Sequence, residues 1–224
     1  MLIVHHLNNS RSQRVLWLLE ELGAPYEIKH YRRGPDLRAP PELRAIHPLG
    51  KSPVVTDAGN TVAESGAIVE YLVGTYGNGR LIPPAGTPER LRYTYWLHYA
   101  EGSAMSPLLQ KLLFTLLPER SPLLIRPVVR GVANRVLATV VNPSLSQHMA
   151  YWESELGKSS WFAGDAFTAA DVQMSFPLEA AAARGGLPDG HPRAMAFLER
   201  IHARPAYKRA LERGGPYAIA SGKV

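Results

Sequence analysis

From Gly77 to Pro88 the chain carries three glycines and three prolines and no hydrophobic periodicity. The segment separates two kinds of pattern. Before it, short apolar runs alternate with helical repeats; after it, every periodic stretch is helical. A chain divided in this way is expected to fold as a small α/β unit over residues 1–78, a linker over 79–88 and an all-helical unit over 89–224. The 224 residues, 46% of them hydrophobic, suffice for one sizeable core or two small ones sharing an interface.

Leu2 to His6 is short, apolar and stopped by Asn8-Asn9-Ser10, the pattern of a strand. Ser10 to Leu22 sets Val15, Leu16, Leu18, Leu19 and Leu22 at helical spacing, with Gly23 as the stop. Tyr26 to Tyr31 alternates apolar and charged residues as a second strand. Strand, helix and strand make a βαβ unit and imply a parallel pair. A short helix is expected at Pro41–Ala45. Val54–Thr56 and Thr61–Ala63 flank the hairpin signal Asp57-Ala58-Gly59-Asn60, and Ser65 to Tyr76 follows as a helix. The sum is a thioredoxin-like βαβ-α-ββα arrangement around a four-stranded mixed sheet. Beyond the linker, Thr87 caps a helix with Pro88 at its first position. Further helices are expected over Ile125–Leu156, Ala169–Arg184, Pro192–Ala203 and Ala206–Arg213, with a loop from Pro118 to Pro127. Thr168-Ala169-Ala170-Asp171 reads as a capping box, with Phe167 and Val172 as its staple, so Thr168 and Asp171 are assigned to folding.

The chain contains no cysteine, which excludes disulfides, zinc–thiolate sites and cysteine nucleophiles; any thiol chemistry must use a bound thiol. No metal site is expected. The formal charge of +6 is dispersed, with its denser spots at Arg32-Arg33 and at Arg11 with Arg14, and there is no basic tract of the kind that binds nucleic acid. The first residues, Met1-Leu2-Ile3-Val4-His5-His6, lack a basic n-region and a long apolar run. No signal peptide is expected on that ground, and the cytoplasm is the expected location. The apolar stretch from Leu108 to Val141 is too interrupted by charge and proline to span a membrane; core-facing helices are the expected reading, with membrane-surface association as the minor one.

Gly50-Lys51-Ser52-Pro53-Val54-Val55 reads as a loop entering the hairpin, and Glu64-Ser65-Gly66-Ala67-Ile68 as an acidic–hydroxyl pair opening a helix. Together they offer a lysine, backbone hydrogen bonds, a carboxylate, a hydroxyl and a helix N-terminus. A small ligand carrying both a carboxylate and an amine fits that set. Each part also has an ordinary structural reading: Lys51 as a solvated loop residue, Ser65 and Ser10 as helix caps, Pro53 as a trans proline opening an edge strand.

Four segments, NNSRSQRVLWLLEELG from Asn8, IHPLGKSPVV from Ile46, AESGAIVEYL from Ala63 and FTAADVQMSFPL from Phe167, resemble the soluble glutathione S-transferases over nearly the whole chain. RAPPELRAIHPLGKSPVV from Arg38 and YAEGSAMSP from Tyr99 resemble a branch shared by fungi and bacteria. The resemblance implies a cytosolic homodimer of serine type that activates bound glutathione for attack on apolar electrophiles, a detoxification chemistry, with reduction of organic hydroperoxides as a related reaction. It implies a glutathione site at His47, Lys51, Ser52, Pro53, Glu64 and Ser65, with Pro53 cis, and with Glu101 reaching in from the partner subunit. Ser10, in a Ser-x-x-x-Arg pattern with Arg14, is the expected thiol-activating residue, with Ser12 and Asn9 as alternatives. The acceptor wall is expected at Leu7, Asn8, Tyr95, Met105, Leu109, Leu113 and Phe114, with the loop from Pro118 to Pro127 near its mouth. A non-catalytic binding or scaffold protein on the same fold is the alternative.

Overall fold

The computed structural model describes residues 1–34, 38–187 and 190–219. Strand β1 (Ile3–Leu7) lies inside a four-stranded sheet of order β2-β1-β3-β4, pairing in parallel with β2 (Glu27–Tyr31) and antiparallel with β3 (Val54–Asp57). The parallel pair needs a crossover, which helix α1 (Ser12–Leu22) supplies. A short α2 (Pro41–Ile46) precedes β3. Strand β4 (Asn60–Ala63) pairs with β3 through a two-residue turn at Ala58 and Gly59. Both turn residues have positive φ, 47° and 83°, the turn whose twist matches a hairpin. Helix α3 (Ser65–Tyr76) completes the thioredoxin-like unit.

The helical unit begins at α4 (Pro88–Tyr99), where Thr87 Oγ1 accepts the Arg90 N–H at 3.2 Å and Pro88 occupies the first turn. A π-helical turn, Ala100–Ala104, joins α4 to α5 (Met105–Glu119); a second, Leu137–Val141, joins α6 (Arg126–Val136) to α7 (Asn142–Glu155). Each widened turn precedes a proline, Pro107 and Pro143. A proline lacks the N–H owed to the carbonyl four residues back, here at Ser103 and Thr139, and its ring crowds that carbonyl; opening the helix there relieves both. The helix expected over Ile125–Leu156 is thus continuous but interrupted. The loop expected from Pro118 shrinks to Arg120–Ile125, because Pro118 sits in the last turn of α5. Helices α8 (Ala169–Arg184), α9 (Pro192–Ala203) and α10 (Pro205–Gly214) follow.

Helix α1 is enclosed on every side: Ser12 to Leu19 are all buried. The Trp17 ring lies 5.7 Å from Phe167 and edge-on at 5.2 Å to Tyr207, both from the helical unit. One hydrophobic core runs from Val4 and Val55 in the sheet through Trp17 to Trp96, Phe162 and Phe197. Ion pairs close its rim, Arg204 on Glu21 at 2.5 Å and Arg209 and Arg213 on Glu20 at 2.8 and 3.0 Å.

The capping box at α8 forms. The Asp171 carboxylate accepts the Thr168 N–H at 2.8 Å, the Thr168 hydroxyl at 3.0 Å and the Phe162 N–H at 2.9 Å. Phe167 packs on Trp17 and Trp161. Burial pushes the Asp171 pKa up to about 6 in spite of these hydrogen bonds. Asp171→Ala leaves three donors without their acceptor, and we expect a loss of about 2 kcal/mol in urea unfolding. Because the folded value lies above the ordinary one near 4, protonation favours the folded state. The Asp171 contribution is therefore full below about pH 4 and falls as pH rises through about 6. Asp171→Asn, which cannot titrate, should erase that component from a stability–pH series.

Candidate functional site

The turn after β1, the α2–β3 loop, the start of α3 and the first π-helical turn converge on a cleft open to solvent. Arg11, His47, Leu49, Lys51, Ser52, Pro53, Ala63, Glu64, Ser65 and Glu101 line it. The structure thus brings together His47, Lys51, Ser52, Pro53, Glu64, Ser65 and Glu101 from the sequence reading. Arg11, Leu49 and Ala63 were missed there, although the pairing of Arg11 with Arg14 as a dense basic spot was the available signal for the first.

The loop carrying the cation turns at Gly50, which has φ +56°; a Cβ there would lie 2.5 Å from Arg44 Cγ. The Ser52–Pro53 bond is cis. Sheet pairing of β3 begins at Val54 against His5, so Ser52 stands outside the ladder, at the cleft wall. Glu64, which opens α3, is held at φ +69°, a backbone conformation that side-chain-bearing residues resist by about 1 kcal/mol or more. Such strain is often found where a side chain must be aimed at a site. Beside it, Ser65 is buried and begins the helix whose free N–H groups favour an anion.

Ser10 does not line the cleft; it is 4% exposed and lies one hydrogen bond behind it. Its Oγ is 3.2 Å from Ser52 Oγ, 2.8 Å from Ser12 Oγ, and accepts the Ser12 N–H at 3.2 Å. The chain continues from Ser12 Oγ to His6 Nδ1 at 2.9 Å. Burial, the nearby His30 and an opposing bond to the Gly214 backbone leave His6 with a pKa of about 4, so at neutral pH the chain ends on an uncharged ring. Ser12 is fully buried inside this chain. Asn9 is turned away from it: at φ +49° its Oδ1 accepts the Ala218 N–H at 2.8 Å.

Glu101, expected to reach in from a partner subunit, lines the cleft of its own chain, on the widened turn between α4 and α5. Two arginines hold it. Arg11 Nε donates at 3.0 Å, and the Arg14 Nη2 contact is shorter still. Arg14 is 2% exposed and also donates from Nη1 to the Gln173 carbonyl at 2.7 Å. Burial alone would raise the Glu101 pKa; the charges of Arg14 and Arg11 and their hydrogen bonds outweigh it and hold the carboxyl below its ordinary range.

The expected acceptor wall is not part of this cleft's lining. Leu7 is committed to a small core with Tyr31 and Leu43. Asn8 accepts the Arg33 N–H at 2.9 Å, which fixes the turn after β2. Tyr95 stacks on Tyr99 at 5.5 Å, and Met105 packs against the main core. Leu109 and Leu113 are exposed on α5, with Phe114 half-buried beside them.

Comparison with known proteins agrees with this architecture. Residues 1–74 match the family described as glutathione S-transferase, N-terminal domain, and residues 138–200 match the glutathione S-transferase C-terminal domain. The chain is similar to glutathione S-transferase 3 of Schizosaccharomyces pombe, 37% identical over 213 residues covering 95% of this chain and 88% of the relative. It is similar to glutathione S-transferase 1 of Saccharomyces cerevisiae, 31% identical with 94% of each chain covered. A solved glutathione S-transferase from Actinobacillus pleuropneumoniae superposes with a TM-score of 0.79 at 31% identity, covering 99% of this chain and 96% of the other. The chain belongs to the glutathione S-transferase family.

Removing Glu101 strands the buried Arg14 charge. We expect Glu101→Gln to lower stability at neutral pH by about 2 kcal/mol, after discounting the ion pair for the partial exposure of Glu101. A depressed carboxylate stabilises the fold above its ordinary pKa near 4 and loses that contribution as pH falls through the folded value. The gap between wild type and Glu101→Gln in urea unfolding should therefore narrow on acidification below about pH 4.

Proposed function

We propose that this glutathione transferase binds glutathione along the cleft and presents its thiol at the Ser10–Ser52 hydroxyl pair. The observation that carries the reading is the convergence of Lys51, the cis Ser52–Pro53 turn and the Glu64–Ser65 helix start on one surface. In this reading Lys51 and His47 hold the glycine carboxylate, Lys51 acting as a point charge. The Ser52 backbone pairs with the cysteinyl unit as an added strand. The γ-glutamyl carboxylate meets Ser65 and the α3 N-terminus, while Glu64 and Glu101 face the amine. With Arg11 and Arg14 already on Glu101, Glu64 is the carboxylate with freedom to serve the amine, and Glu101 adds to the field.

A free thiol with a pKa near 8.5 is only a few per cent ionised at neutral pH. Hydroxyl donation from Ser10, with Ser52 beside it and the α1 N-terminus nearby, stabilises thiolate over thiol. A depression of about two units corresponds to about 2.7 kcal/mol. Ser12 and Asn9, the alternatives, are engaged elsewhere, on His6 and Ala218. The thiolate then attacks an apolar electrophile, for which the exposed Leu109 and Leu113 of α5 are the proposed wall, or an organic hydroperoxide. Homodimerisation, a cytoplasmic setting and unit boundaries at 1–78 and 89–224 belong to the same proposal.

Ultraviolet titration of bound glutathione tests it. The wild type should show a thiol pKa near 6–7, and Ser10→Ala should raise it by about one to two units with glutathione still bound. Lys51→Ala should weaken glutathione binding about tenfold, the loss of one partly solvated charge-assisted contact, while leaving the bound thiol pKa in place. Binding without any depression would leave a carrier on a transferase fold.

A further inference from the structure

The turn between α5 and α6 presents a surface outside the lining of the glutathione cleft. Its turn exposes three consecutive large apolar residues, Leu123 at 75%, Leu124 at 96% and Ile125 at 51%. Val128 and Val132 extend the apolar surface one and two turns along α6, and both are exposed; Ala133, between them and the core, is buried. The turn is a built structure. The Arg126 guanidinium folds back to the Glu119 and Ser121 carbonyls at 3.3 Å, and the Ile125 N–H bonds to the Pro122 carbonyl at 3.2 Å. Charge in the helices that meet at the apolar tip is mostly of one sign. From Gly102 to Trp152 the chain has a single acidic residue, Glu119, against Lys111, Arg120, Arg126, Arg130 and Arg135. Arg135 lies seven residues after Val128, on the same face of α6.

An apolar tip within a cationic collar fits a surface that is apolar inside and anionic outside. A second copy of this chain suits it less well, because a two-fold contact through the tip would set the arginines of both copies against one another with Glu119 as the only local counter-charge. No helix among the described residues is long and apolar enough to cross a membrane, so the surface would rest on lipid and not span it.

We propose that the α5–α6 turn docks on anionic phospholipid bilayers, with Leu123, Leu124 and Ile125 entering the headgroup–acyl boundary and Arg120 and Arg135 pairing with lipid phosphates. The arginine stems bury along the apolar surface while their heads stay with the anionic groups. The docking is independent of the glutathione site and of its chemistry.

Vesicle co-sedimentation tests the proposal. The full chain should pellet with phosphatidylcholine–phosphatidylserine vesicles at low salt, release as salt is raised, and stay in solution with phosphatidylcholine alone. The double variant Leu123→Asp with Leu124→Asp should abolish pelleting while keeping the wild-type melting curve and wild-type glutathione affinity. Arg120→Ala and Arg135→Ala should each weaken binding roughly fivefold. A tryptophan placed by Leu124→Trp should shift its emission to the blue when anionic vesicles are added. Absence of pelleting, equal pelleting with both vesicle types, or conversion of a dimer to a monomer by the aspartate variant would overturn the proposal, the last by assigning the tip to a protein contact.

Discussion

Everything in this fold leans on the burial of α1. A crossover helix normally hides one face on its sheet and shows the other to water. Here the face turned away from the sheet is covered by α8 and α10, and Ser12, Gln13 and Arg14 are enclosed along with Val15 to Leu19. Most polar groups in such a position are matched; among the described residues the Gln13 side chain lacks a hydrogen-bond partner, while the matching of Ser12 and Arg14 builds the site. Ser12 finds Ser10 and His6, and Arg14 finds Glu101 and the Gln173 carbonyl. The same enclosure aligns the turn before α1, so Arg11 faces the cleft.

The electrostatics of the cleft follow from that arrangement. Two guanidinium groups share one carboxylate, and Lys51 adds a further cation to the lining. A peptide bearing two carboxylates and one amine is anionic, and a cleft with this balance attracts it. The widened helical turn that carries Glu101 is part of the same economy. It precedes Pro107, and it carries Glu101 into the cleft lining.

Much of this was legible in the residues. The β-turn at Asp57-Ala58-Gly59-Asn60, the start of α3 at Ser65, the Thr87 cap and the Thr168–Asp171 box each rest on local chemistry, and local chemistry decided them. Lys51, Pro53 and Glu64 sit close in sequence to the elements that aim them, and the structure gathers them into one cleft. What escaped depends on distant partners. Leu7 looked available for a ligand until Tyr31 and Leu43 claimed it. Asn9 looked like an activating group, but the C-terminal segment occupies it. Glu101 could be seen as a cleft acid, yet its grip by Arg11 and Arg14 on a π-helical turn depends on packing between the two halves. The prolines behind both widened turns were visible, but a proline in a helical pattern signals only disruption, and whether the chain kinks, breaks or widens is settled by packing.

The shared core around Trp17 has a further consequence for how such a chain can change. Phe167 and Tyr207, which close over that ring, come from the far end of the sequence. Exchanging the helical half for another, in evolution or in the laboratory, is therefore no exchange of independent modules. A hybrid would expose the outer face of α1 unless the incoming half carried aromatic groups in the same two places, and an isolated N-terminal half should be sticky and short-lived. Change in this architecture is restrained in α8 and α10, which pack on α1, whatever compound the enzyme handles.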